Sequence, residues 1–87
     1  MPFLVADPQP DTEVDHYIIE LDSVIIPHDP ETSPGFVRLH YDVSGVTDGL
    51  HTVRVKSGNM WGESAFTDPF DFTKALPPVP TGIGLEI

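Results

Sequence analysis

Four histidines, His16, His28, His40 and His51, are the side chains of this 87-residue chain with the widest chemistry open to them. Imidazole nitrogens bind divalent metals, but no pair here has the HxH or HxxxH spacing that places two rings on one ion. The expectation is solvated or core histidines and no metal site. The acids of "DPQPDTEVD" could offer oxygen to calcium, yet they lack the D-x-D-x-D-G pattern and its distant glutamate. They read as a solvated loop that keeps the chain soluble and an edge from mispairing. Serine, histidine and aspartate all occur without a G-x-S-x-G elbow, and no cofactor motif is present. A core this small leaves little room to preorganise a pocket. No catalytic residue, no cofactor and no enzymatic activity are expected.

The remaining composition narrows the class. A chain of this length makes one domain that buries about 60 to 65% of its unfolded surface. Mean hydropathy is -0.07 with 39% apolar residues, too hydrophobic for a disordered chain despite a net charge of -10. With no cysteine, neither disulfides nor thiolate chemistry is available, so packing must hold the fold. Residues 1–35 carry eight acids and no lysine or arginine, a sign that repels phosphate. Nucleic acid and anionic membranes are therefore not expected partners. No signal-peptide pattern opens the sequence and no apolar run reaches 18 residues, which reads as a cytoplasmic product as synthesised.

The elements that must position any site are strands. Ten prolines and seven glycines cut the chain into short pieces whose apolar residues alternate, with no helical period. In "VDHYIIELD" Tyr17, Ile19 and Leu21 share one face, and in "FVRLHYDV" Val37, Leu39, Tyr41 and Val43 do, without a break. "LHTVRVKS" turns His51, Val53 and Val55 inward, and "SAFTDPFDF" gathers Phe66, Phe70 and Phe72, with Pro69 marking an edge or a bulge. "DPQPD", "PHDPETSPG", "SGVTDG" and "SGNMWGES" are turn signals between them. With "PFLVA", "SVIIP" and "TGIGLEI" the pattern predicts an all-β, two-sheet antiparallel β-sandwich of about seven strands.

These residues resemble a known family. "VSGVTDGLHTVRVKSGNMWGES" is similar to the second half of a fibronectin type III domain, with Asn59, Gly62 and Ser64 matching its turn into the last strand. "VDHYIIELD" is similar to that family's third strand, and "PPVPTGIGLEI" to its proline-led opening segment. The resemblance implies an immunoglobulin-like sandwich in which His51 stands where the family has an inward tyrosine, hydrogen-bonding the preceding loop in its place. It also implies a frame shifted by one strand, because Phe3 to Ala6 corresponds to the second strand. A segment like the first strand stands instead at residues 81–87, after a proline hinge at 76–80 and a sandwich body at 1–75.

The terminal segment sets Ile83, Leu85 and Ile87 on one face, while Gly82 and Gly84 weaken its own strand propensity, so it needs a partner to order. It is expected either to complete this sheet or to pair with a neighbouring copy. Trp61 and Met60 sit in a late turn. The expected role of Trp61 is a lid over the end of the sandwich, since a small domain needs its largest apolar side chain buried. The competing role is an exposed anchor for a protein or a sugar. The leading functional expectation is a non-catalytic interaction or structural module, of a kind found in phage-type particles. A carbohydrate-binding module stacking sugars on Trp61, Tyr17 or Tyr41 and an accessory domain of an enzyme complex are the alternatives.

Overall fold

The computed structural model describes residues 2–87, and among them there are ten strand segments and no helix. In chain order these are β1 Phe3–Val5, β2 Gln9–Pro10, β3 His16–Leu21, β4 Val24–His28, β5 Glu31–Ser33, β6 Phe36–Arg38, β7 His40–Asp42, β8 Gly49–Asn59, β9 Gly62–Glu63 and β10 Phe70–Lys74. Every pairing is antiparallel. One sheet runs β10-β8-β3-β4, with β9 folded back on β8. β8 is its spine, because eleven extended residues are long enough to pair with β3, β9 and β10.

The other pairings, β1 with β7 and β2 with β6 and β5, nearly continue one another. Between Val5↔His40 and Gln9↔Val37 the register slips by one, so residues 6–8 oppose only 38–39. That is a bulge, and Pro8 sits inside it, where a missing N–H interrupts no ladder. The slip also divides "FVRLHYDV", expected as one unbroken strand, into β6 and β7. Its inward face survives the break: Val37, Leu39 and Val43 are buried and Tyr41 half-buried.

β3 and β4 are joined by Asp22 and Ser23, both in the left-handed region with φ of 49° and 70°. Left-handed backbone at both central positions is the hairpin turn whose twist matches that of paired strands. The core joins the two sets of sheets. Val14, Tyr17, Ile19 and Val53 cluster with Val37 and Leu39, and Leu4, Leu21, Ile26, Tyr41, Val55 and Phe72 pack around them. The arrangement is a sandwich-like all-β fold.

Three expectations need correction. "SAFTDPFDF" pairs only over Phe70–Lys74, and Phe66 does not join the core: its ring lies under the Arg54 guanidinium and the Lys56 ammonium, 4.5 and 4.7 Å from them. Two cations on the solvent face of β8 attract the ring's π-face more strongly than an already occupied interior does. "DPQPD" and "PHDPETSPG", read as turns, hold β2 and β5. Residues 75–87 form no ladder, and "TGIGLEI" is extended away from the body. The radius of gyration of 17.8 Å and the extents of 67 × 30 × 18 Å reflect that projection, against about 12 Å for a compact chain of this length.

Ile19 and Leu39 are 0% and 1% exposed and come from opposite sides of the core. Ile19→Ala and Leu39→Ala should each lower the unfolding free energy by about 2–5 kcal/mol in urea titrations. Val24→Ala, at a 60% exposed site, should change it by less than about 0.5 kcal/mol.

Candidate interaction surfaces

His51 is the one buried side chain among the histidines, acids and bases of the described residues. It faces Phe72 across the β8–β10 ladder, with the rings stacked 5.4 Å apart. Its Nε2 lies 2.6 Å from the Thr47 carbonyl oxygen in the loop before β8, and its Nδ1 bonds to the Asp22 carboxylate. Both partners are acceptors, so both ring nitrogens must donate, and the ring that satisfies them is the imidazolium. The bond to the Thr47 carbonyl first, then that to Asp22, holds the His51 pKa above its ordinary 6.5. Conversely, the hydrogen bond from His51, followed by the Thr52 N–H, holds Asp22 below the usual carboxylate range. Asp22 also accepts the Thr52 N–H at 2.9 Å and donates its own N–H to the Thr52 carbonyl at 2.9 Å. The cluster ties the β3–β4 hairpin, left-handed backbone included, to β8. Its work is structural. Asp22 was not singled out from sequence, although an Asp-Ser pair between two alternating apolar runs was the available signal.

Trp61 is not a lid. It is 88% exposed and Met60 84% exposed, at the tip of the two-residue turn between β8 and β9. Asn59 decides this: its Oδ1 accepts the Trp61 N–H at 2.8 Å while its Nδ2 donates to the Glu13 carbonyl at 2.8 Å, and Gly62 closes the turn at φ 139°. The backbone is thereby fixed with both side chains outward. One pair earlier, Gly58 lies beneath the His16 ring, where an added Cβ would stand 2.2 Å from Nε2. The other proposed stacking residues are not platforms. Tyr17 is buried with its hydroxyl donating to Gln9 Oε1 at 2.9 Å, and Tyr41 is half-buried edge-on to His28.

Ile83, Leu85 and Ile87 are 87%, 94% and 114% exposed. They leave the body at the end where Lys74 stands opposite Gly49, whereas Trp61 follows Asn59 at the far end of β8. The two candidate surfaces that sequence identified are thus held at opposite ends. Between them Val53 is core and Val55 is half-buried against it.

A third feature was not foreseen. An open groove of about 590 Å³ runs between β1 and the segment 64–70, and Tyr17, Leu39 and Val53 are reached through it. Phe70 pairs with buried Val53 yet is itself 57% exposed, because nothing covers it.

All four lysines and arginines are engaged: Arg38 with Glu31, Arg54 with Glu20, Lys56 with Glu63, and Lys74 with the carbonyls of Ser44 and Val46. The rest of the surface is therefore acidic. Among the described residues no three histidine, aspartate or glutamate side chains converge as a metal would need. No helix is long and apolar enough to cross a membrane. No protein-family model matches the chain, and neither a curated protein nor a solved structure does.

The Asp22–His51 pair makes stability depend on pH. A depressed Asp22 contributes above the ordinary carboxylate value of 3.8 and loses its contribution as pH falls through its folded pKa. A raised His51 contributes fully below 6.5 and loses its contribution as pH rises through its folded pKa. Thermal melts followed by circular dichroism should thus show a midpoint that falls between about pH 5.5 and about pH 8.5. His51→Gln should remove most of that difference, and Asp22→Asn should reduce it.

Proposed function

We propose that this chain is a non-catalytic interaction or structural module, a fibronectin type III-like sandwich that assembles through its terminal segment. The observation that carries this reading is the state of residues 75–87. Leu76, Val79, Ile83, Leu85 and Ile87 are each at least 69% exposed, along a segment with no strand of its own. Apolar surface left in water costs about 25 cal/mol per Å², and an unpaired extended backbone is a template for pairing. The sheet order β10-β8-β3-β4, the strands 3–10 against 36–42 and the shared core support the sandwich. Within residues 75–87 Glu86 is the sole charged side chain, so this is the part of a -10 chain best able to approach another copy.

Trp61 supports a second reading. A rigidly presented, exposed indole can stack on a sugar ring, so the carbohydrate-binding alternative rests on Trp61 alone.

Sedimentation equilibrium should show the full chain associating and a chain ending at Pro80 remaining monomeric. Association should tighten as salt rises toward about 0.15 M, where screening relieves repulsion between acidic copies. A full chain that stays monomeric over the whole concentration range would remove the proposal. For the second reading, Trp61 fluorescence should shift or quench on adding a polysaccharide that binds, and an unchanged spectrum across a panel would exclude it.

A further inference from the structure

We infer that the groove between β1 and residues 64–70 is the acceptor for the terminal segment of a second copy, which adds as a strand antiparallel to β1. This deepens the proposed self-association and rests on it. It names the surface the segment meets and the direction in which it runs.

The groove has what an added strand needs. Among the described residues β1 pairs with β7 alone, so its other edge carries free N–H and C=O groups. Beside that edge is an opening into the core, floored by Leu39 and Val53 and bordered by exposed Val5 and Phe70. Its far wall is steady: Ser64 and Thr67 donate their N–H groups to the Ser57 and Val55 carbonyls at 2.8 Å each. Phe3 to Ala6 carry no charge. The other free edges are less suited. Pro27 removes a donor from β4, β5 reads Glu-Thr-Ser, and β10 carries Asp71 and Lys74.

The segment matches the site. Residues 81–87 span about 24 Å as a strand and β1 about 10 Å, so the end of the segment would pair with Phe3–Val5 while its start lies along the bulge and β2, where Pro8 and Pro10 offer no N–H. Ile83, Leu85 and Ile87 would enter the groove while Glu86 remains in water. Strand addition of this kind combines main-chain bonds with pockets for alternate side chains.

Direction selects the second copy. β10 delivers the chain to the end of the body where Lys74 Nζ reaches the Ser44 and Val46 carbonyls and the Pro2 carbonyl accepts the Val43 N–H. β1 starts at that same end. A segment folding back on its own body would therefore run parallel to β1, after reversing within "ALPPVP", where three prolines favour an extended spacer. A segment from another copy is free to enter at the opposite end, beside Trp61, and so to run antiparallel as every other pair in this fold does. Donor and acceptor are different surfaces, so each copy has one of each, and the contact propagates head to tail instead of closing as a symmetric dimer.

The chain has no cysteine, so single introduced cysteines report contacts without background. Full-length Glu86→Cys and full-length Val5→Cys, both at exposed outward positions, are mixed and treated with a short bis-maleimide. Its reach covers a one-pair shift in register, about 7 Å along the strands. Each chain then holds one thiol, so any cross-link joins two copies. Cross-linking of Glu86→Cys to Val5→Cys should exceed that to Val24→Cys, on the opposite sheet edge, by roughly tenfold or more, as an effective concentration set by docking requires. Equal yields at the two sites, or a higher yield at Val24→Cys, would overturn the assigned acceptor. The double variant Val5→Cys/Glu86→Cys should yield a ladder of linked copies. An internally bridged monomer that persists on dilution would overturn the second copy as occupant. Sedimentation separates the two proposals: if the full chain associates but the cross-link goes elsewhere, only the acceptor fails, and if it stays monomeric both fail.

Discussion

The structure depends on the ladder between β3 and β8. Six consecutive pairs, from His16↔Gly58 to Leu21↔Val53, bring Tyr17, Ile19 and Val53 to one face and put Glu20, Arg54 and Lys56 on the other. With few residues fully buried, a chain this small cannot afford a second core, so every other element is placed by what it adds to this one. β4 extends it at one edge and β10 at the other, and Val37 and Leu39 cover its inner face.

Charge and polarity are arranged around the same ladder. The outward face of β8 collects Arg54 and Lys56 between Glu20 and Glu63, with Phe66 beneath both cations. On the inward face His51 occupies the position where an apolar residue would simply pack, and two acceptors from different loops favour its protonated form. A buried polar ring held in this way specifies which loops meet, because a misplaced hairpin would leave its nitrogens unpaired in the interior.

The candidate surfaces follow from what this economy leaves uncovered. β4 ends its sheet as a free edge interrupted by Pro27, whereas the flank between β1 and the 64–70 segment opens onto core residues. The least charged stretch of the chain projects from one end as an extended arm. An open flank and an unpaired arm on the same molecule are the two features on which the proposed association between copies rests.

Sequence by itself determined that the chain is all-β, because a period of two in apolar residues is a local property that each strand carries alone. The inward sets Tyr17, Ile19 and Leu21, and Val37, Leu39 and Val43, were legible for that reason. So was the position of Asn59 and Gly62 at a turn. Tertiary structure alone decided the rest. Whether Phe66 faces the core or two cations, whether Trp61 folds inward, which carboxylate meets His51, and where a groove remains all depend on what stands across space, and Asp22 is 29 residues from His51 in sequence. Alternation specifies which side chains share a face. It carries no information on whether that face finds a cover, since that depends on the partner strand's register and on how much chain remains to supply one.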